Sequence, residues 1–77
     1  MADREDLKDW VYQAVRENAG RTSVVKVAQH IWEHREQELR SSGDLFYTWQ
    51  YEMRWAAQQL RKEGRLTLAG RDWALKR

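Results

Sequence analysis

The 77-residue chain contains no cysteine and no proline, and only four glycines interrupt it. Without cysteine, neither a disulfide framework nor a cysteine-based zinc site can supplement the hydrophobic core. No apolar run is long enough for a transmembrane helix, and the short N-terminus carries acidic residues, unlike a signal peptide. We therefore expect a cytoplasmic protein in which residues 1–77 form one domain, with a free energy of unfolding of about 4–11 kcal/mol.

The sequence also lacks the arrangements that are typical of catalytic sites. It has no glycine-rich phosphate loop, and neither a Ser/His/Asp arrangement nor a carboxylate pair occurs in a supporting context. His30, Glu33 and His34 match the H-x-x-E-H pattern of some zinc peptidases. A peptidase, however, needs a further metal ligand and a much larger scaffold. We therefore predict a non-enzymatic protein without a cofactor, and weak binding of a transition metal by the two histidines is the alternative for this motif.

Charge is distributed unevenly along the chain, although the formal net charge is only +2. Residues 1–39 carry six Lys or Arg against eight Asp or Glu, whereas residues 40–77 carry eight against four. A basic excess confined to one half of a small chain favours a polyanionic partner for that half.

Hydrophobic periodicity predicts two helices in the N-terminal half. The first spans about residues 4–18 and is capped by Asp3, and a short extended segment at 21–22 follows it. Ser23 caps the second helix, which runs to about Arg40. The predicted core residues of the two helices are Leu7, Trp10, Val11, Ala14, Val15, Val24, Val27, Ala28, Ile31, Trp32 and Leu39.

A third amphipathic helix is predicted from Thr48 to Glu63. The residues before it leave two interpretations open: Asp44 could cap a short turn in which Leu45 and Phe46 point into the core, or Thr48 could be the N-cap. We favour a turn over residues 44–47 that is followed by the helix. The predicted core stripe of this helix is Trp49, Met53, Ala56 and Leu60.

Two short runs with a period of two follow the third helix and predict a hairpin. Residues 69–71 connect the runs, and a hairpin of this size must lie against the helices because it is not stable alone. We expect a mainly α protein with a small hairpin (α+β): three helices, a C-terminal two-strand wing over about 65–76, and a short strand near 21–22. The predicted inward residues of the hairpin are Leu66, Trp73 and Leu75.

This order of elements resembles a winged helix-turn-helix domain. The resemblance is carried by Arg54-Trp55-Ala56-Ala57, then Leu60, then Gly64-Arg65-Leu66, and then Gly70-Arg71-Asp72-Trp73-Ala74-Leu75. These residues are similar to the winged-helix domain at the N-terminus of Mrr-type restriction endonucleases and to small stand-alone bacterial proteins built on it. The N-terminal half matches by element order only. In the restriction enzymes a separate nuclease domain follows, so the resemblance does not transfer the cutting activity.

The resemblance implies that the third helix reads the major groove of duplex DNA and that the hairpin acts as a wing near the backbone or the minor groove. An arginine fork can grip guanine or phosphate, and glutamine can read an adenine edge. The module would then serve as a small transcriptional regulator or as the reader of a larger system. The residues implied as DNA-binding are Tyr47, Gln50, Tyr51, Arg54, Gln58 and Arg61 on the helix, and Arg65 and Arg71 on the wing.

Other interpretations remain for the same surface. The arginines of the third helix could pair with Glu52 or Asp44 or be merely solvated. Trp55 could pack under the wing, which we favour, or stand exposed. If it were exposed beside Tyr47 and Tyr51, the patch would favour a protein-interaction or homodimerisation module, because the fold does not fix the function. RNA binding through exposed aromatic residues is a further alternative.

Overall fold

Three helices and a small antiparallel sheet make up the structure, a computed structural model that describes residues 3–76. With three helices and this three-stranded sheet, the fold is α+β and winged-helix-like, as the sequence predicts. No helix within these residues is both long and apolar enough to cross a membrane. The elements are α1 (Arg4–Glu17), β1 (Arg21–Thr22), α2 (Val24–Arg40), α3 (Leu45–Lys62), β2 (Leu66–Ala69) and β3 (Asp72–Leu75).

The first two helices begin at the caps that the sequence predicts. The Asp3 carboxylate accepts hydrogen bonds from the backbone N–H groups of Glu5 and Asp6, and the Asp6 carboxylate accepts one from the N–H of Asp3. This reciprocal arrangement satisfies donors that would otherwise be orphaned at the helix start. At the start of α2, the Ser23 hydroxyl accepts a single capping hydrogen bond from the N–H of Lys26. Local side-chain chemistry therefore fixes both helix starts.

The third helix begins at Leu45, three residues before the predicted start. Asp44 occupies the N-cap position, but its side chain makes no capping hydrogen bond. The N–H groups of Leu45 and Phe46 instead donate to the carbonyls of Ser42 and Gly43, a tight turn that leads directly into the helix. Leu45 is only 9% exposed, so the extra turn adds one more apolar side chain to the core. The predicted turn over 44–47 is therefore wrong, because the helix already begins at Leu45, whereas the inward position considered for Leu45 is confirmed.

One hydrophobic core joins the helices to the sheet. Met53, Ala56 and Leu60 of the predicted stripe on α3 are buried, and Leu66 and Trp73 of the hairpin belong to the same core cluster. Burial of a large aliphatic side chain stabilises a fold by about 1.5–3 kcal/mol. The largest fully buried side chains are Leu7, Ile31, Leu39, Leu60, Leu66, Val11, Val15 and Val27.

Strand β3 is the centre of the sheet and pairs with both other strands. Trp73 lies opposite Thr22 of β1 on one side and opposite Leu68 of β2 on the other. The short strand expected near 21–22 is therefore present, and it ties the hairpin to the residues just before α2. Leu66 is buried, but Leu68, two residues further along the same strand, is 47% exposed. The apolar side of the hairpin thus extends beyond the helices.

Candidate nucleic-acid interface

The polar face of α3 lies opposite its core stripe. Apart from the adjacent pair Gln50 and Tyr51, the predicted site residues on this face recur every three or four positions, which places them on one side of a helix that turns about 100° per residue. The distance along the helix axis from the first of these residues to the last is about 21 Å, at about 1.5 Å per residue. All six predicted site residues of α3 are exposed, namely Tyr47, Gln50, Tyr51, Arg54, Gln58 and Arg61.

An open cleft lies between the N-terminus of α2, the C-terminal half of α3 and the β2–β3 hairpin. Arg54, Gln58 and Arg61 line it from α3, and Arg71 lines it from the turn of the hairpin. The structure therefore brings together four of the eight predicted site residues. We call this site the basic cleft; it is lined by Ser23, Val24, Val25, Arg54, Ala57, Gln58, Arg61, Leu68, Gly70, Arg71, Asp72 and Trp73.

The three arginines of the basic cleft have no acidic partner within residues 3–76. No carboxylate of these residues lies within 4.0 Å of the guanidinium groups of Arg54, Arg61 or Arg71. Glu52, which could have paired with the arginines of α3, instead lies 3.7 Å from Arg4 of α1. The three guanidinium groups therefore keep their donors available to a ligand.

The surroundings of the cleft add positive charge. Asp72 is the one acidic residue among those that line it, and its carboxylate lies 3.1 Å from Nε of Arg21 in an ion pair that offsets its charge. On the neighbouring side of β2, a second depression is lined by Arg61, Lys62 and Lys76. Basic residues thus continue around the edge strand of the hairpin.

Two aliphatic side chains in the cleft were not singled out by the sequence patterns. Val25, in the first turn of α2, is 66% exposed, and Leu68 lines the same cleft from β2. The adjacent pair Val24-Val25 carries a signal of exposure, because successive residues of a helix point in different directions and do not share one face. In the structure only Val24 of the pair packs against the core. For Leu68 the sequence carries no such signal, since it continues the apolar alternation that begins at Leu66.

Arg65 lies outside the basic cleft, although the sequence treats it like Arg71. Its Cζ atom is 4.3 Å from the centroid of the Tyr12 ring on α1, and its Nη1 atom is 3.7 Å from the Glu63 carboxylate. The predicted wing residue Arg65 is therefore directed to α1 and contributes contacts within the fold.

The N-terminal half of α3 forms a different surface, with an aromatic character. Tyr47 and Tyr51 are 83% and 74% exposed, and the Tyr47 ring meets the Phe46 ring edge-on at 5.1 Å between centroids. Gln50 lines a shallow groove between α2 and α3 that also includes Trp32. These three predicted site residues lie outside the basic cleft but on the same helix.

Trp55 is half-buried and packs against the core, as favoured from the sequence. Its ring carries the Arg4 guanidinium, with Cζ 4.1 Å from the ring centroid. Trp55 therefore contacts α1 through Arg4, whereas the sequence interpretation placed it under the wing. Trp55 therefore does not stand as an exposed aromatic anchor beside the two tyrosines.

His30 and His34 are stacked side chains. Their ring centroids are 4.1 Å apart with 17° between the planes, and Nδ1 of His34 donates to the His30 carbonyl at 2.9 Å. A shared metal needs a lone pair from each ring plane to converge on one point, which two stacked, nearly parallel planes do not allow without rotation. His30 Nε2 lies 3.5 Å from the Glu17 carboxylate. Within residues 3–76, no group of three or more His, Cys, Asp or Glu side chains could hold a metal ion.

Comparisons with known proteins give no match: no family model matches the chain, and no curated protein or solved structure matches it at a significant level. The topology of three helices, a short β1 and a C-terminal antiparallel hairpin is compatible with a winged helix. The Mrr-type resemblance therefore stays an interpretation of the residues in α3 and the hairpin.

Proposed function

We propose that the protein is a non-enzymatic module that binds duplex DNA through α3 and the β2–β3 hairpin. The observation that carries this proposal is the presence in one cleft of three guanidinium groups without a carboxylate partner within residues 3–76. A guanidinium group is a planar, permanently charged fork that matches phosphate oxygens and the O6 and N7 atoms of guanine. The biological role that fits is a small transcriptional regulator or the reader of a larger system.

The dimensions of α3 support a position in the major groove. An α-helix with its side chains is about 10–12 Å across, close to the groove width of about 12 Å. Arg54 and Arg61 are seven residues apart, about 10 Å along the helix axis. That distance corresponds to about three base-pair steps of 3.4 Å. Gln58 lies between the two arginines, where it would reach an adenine edge.

The distribution of charge also supports a polyanionic partner. None of the acidic residues between positions 3 and 39 lines the basic cleft, and Asp72 is paired with Arg21. Lys62 and Lys76 extend the positive surface beyond β2. A phosphate backbone that follows the hairpin would therefore meet cations on both sides of the edge strand.

A salt titration tests the proposal. Fluorescence anisotropy would follow binding to a labelled random-sequence duplex, a single strand and an RNA of equal length, between about 50 and 200 mM salt. A protein that neutralises about four phosphates gives a slope of about −3.6 in log K against log salt. We expect the duplex to bind best and with a slope of this size. The absence of duplex binding at about 50 mM salt would reject the proposal.

A second candidate is a docking or dimerisation module on the same scaffold, and the exposure of Tyr47 and Tyr51 favours it. Two large aromatic side chains four residues apart on a helix form a small apolar surface of the type found in protein interfaces. Sedimentation over a range of concentrations distinguishes the two roles. A dimer that dissociates on Tyr51→Ser, together with no binding of duplex, would favour the docking role.

A further inference from the structure

Two exposed aliphatic side chains share the basic cleft with its three arginines. Val25 belongs to the first turn of α2 and Leu68 to the wing, so they come from the two elements on either side of α3. Neither side chain is needed to fill the core, because Val24 and Leu66 beside them already pack there. Attraction of phosphates requires only the cations, so these two side chains are free to make a contact of a different kind.

The chemistry of a DNA major groove offers one apolar partner on the base edges. Each base pair presents hydrogen-bond donors and acceptors there, and thymine alone adds a C5-methyl group. The same A·T pair presents the N6 and N7 atoms of adenine, which a glutamine amide can contact in bidentate fashion. The basic cleft combines both recognition elements, because Gln58 lies in it together with Val25 and Leu68.

We infer that the basic cleft selects duplexes that present thymine methyl groups in the major groove, with Val25 and Leu68 as the contacting side chains. This inference rests on the proposed binding of duplex DNA. On a duplex without guanine the guanidinium groups supply affinity that is independent of sequence, whereas the aliphatic pair and Gln58 discriminate among base pairs. Removal of a buried methyl group costs about 0.8 kcal/mol, which corresponds to about a fourfold loss of affinity for each methyl contacted.

The test compares two duplexes that differ only in the methyl group. One is an alternating adenine–thymine duplex of about 24 base pairs, and the other has deoxyuracil in place of every thymine, with its hydrogen-bonding groups unchanged. We expect the wild-type protein to bind the thymine duplex about four- to tenfold more tightly at equal salt. Equal binding of the two duplexes would overturn the thymine contact and leave duplex binding intact. If neither duplex binds while the random-sequence duplex does, this inference alone fails; if the random-sequence duplex does not bind either, the proposed function fails with it.

Variants of the two aliphatic residues assign the effect. Val25→Ser and Leu68→Ser replace exposed side chains, so both variants should fold, which circular dichroism would verify. Each is expected to lower the ratio of thymine to deoxyuracil affinity toward one while preserving the slope against salt. The conservative variants Val25→Ile and Leu68→Met retain an apolar tip and are expected to keep the ratio. A ratio that the serine variants leave unchanged would show that other residues detect the methyl group and would overturn the assignment.

Discussion

Lys8 of α1 forms an ion pair with Glu63 at the end of α3, 55 residues later in the chain. The hydrogen bond from the Lys8 ammonium lowers the pKa of the Glu63 carboxyl, and the same bond raises the pKa of Lys8. Glu63 also lies 3.7 Å from Arg65, whose guanidinium stacks on Tyr12 of α1. These contacts join the first helix to the segment where α3 ends and the wing begins.

The stability of the fold should therefore depend on the protonation of Glu63. Because its pKa is lower in the folded state, the stabilisation is fully present above the unfolded value of about 4.3 and is lost as the pH falls through the folded value. For Lys8 the pKa is raised, so its contribution is present below about 10.4 and is lost as the pH rises through the folded value. We expect Glu63→Gln to flatten the decrease in melting temperature on acidification below about pH 4.3.

Thermal unfolding followed by circular dichroism in steps of pH measures this effect. Glu33→Gln is the matched control, because Glu33 is exposed on α2 and forms no ion pair with any of residues 3–76. The control should retain the wild-type acid dependence. Identical acid limbs for wild type and Glu63→Gln would mean that the ion pair is not maintained in solution.

Replacement of Arg54 or Arg61 by alanine should weaken duplex binding without loss of stability. Each removes an exposed guanidinium from the basic cleft, so the loss of one phosphate contact should reduce the slope against log salt by about 0.9. If the arginine contacts a guanine instead, the loss should be about 1–3 kcal/mol on the preferred sequence with little change in slope. Arg16→Ala is the matched control, since Arg16 is an exposed arginine of α1 outside the cleft.

Urea unfolding of the same variants separates binding from folding. Changes of surface residues alter the free energy of unfolding by about 0.5 kcal/mol or less, so all three variants should unfold like the wild type. If Arg54→Ala and Arg16→Ala bound the duplex equally well, the binding surface would have to lie elsewhere on the molecule.

The two wing arginines should behave differently on substitution. Arg71→Ala removes a cation from the basic cleft and is expected to weaken duplex binding, with the free energy of unfolding nearly unchanged. Arg65→Ala removes the cation–π contact with Tyr12 and the contact with Glu63. An exposed cation–π contact contributes about 0.5–1 kcal/mol, so this variant should lose stability and only a smaller part of the binding.

Parallel urea unfolding and anisotropy measurements on the two variants give the comparison. A larger loss of binding for Arg65→Ala than for Arg71→Ala would place Arg65 in the interface, as the sequence resemblance implies. It would contradict the expectation that only Arg71, which lines the basic cleft, makes the main contact.

The helix starts set by local side-chain chemistry could be predicted from the sequence. Which of the predicted site residues line the basic cleft could not. Asp3 and Ser23 cap their helices through neighbouring N–H groups, so the pattern of residues predicts both starts. The start of α3 was missed because burial of Leu45, a tertiary contact, extends the helix without a side-chain cap. Arg65 and Arg71 look equivalent in the sequence, because each directly precedes one of the two strands of the wing. Their different surroundings depend on Tyr12 and α3, which lie far away in the chain.

The end of α1 also allows a prediction about backbone strain. Ala19 adopts a φ of 66° and Gly20 a φ of 82°, and both angles lie in the left-handed region. The left-handed conformation costs an L-residue with a Cβ about 1–2 kcal/mol, whereas glycine at the same position loses about 0.5–1 kcal/mol relative to alanine through backbone entropy. Ala19→Gly is therefore expected to increase the free energy of unfolding by about 0.5–1 kcal/mol.

Gly20→Ala is the converse variant and separates strain from steric contact. A Cβ at position 20 would lie 3.8 Å from Cδ1 of Leu75, which is ordinary van der Waals contact. The expected loss of about 1 kcal/mol would then come from the backbone angle alone. Urea unfolding of the two variants beside the wild type measures both changes. If Ala19→Gly destabilised the protein, the left-handed conformation at position 19 would not persist in solution, because glycine could not then relieve strain there.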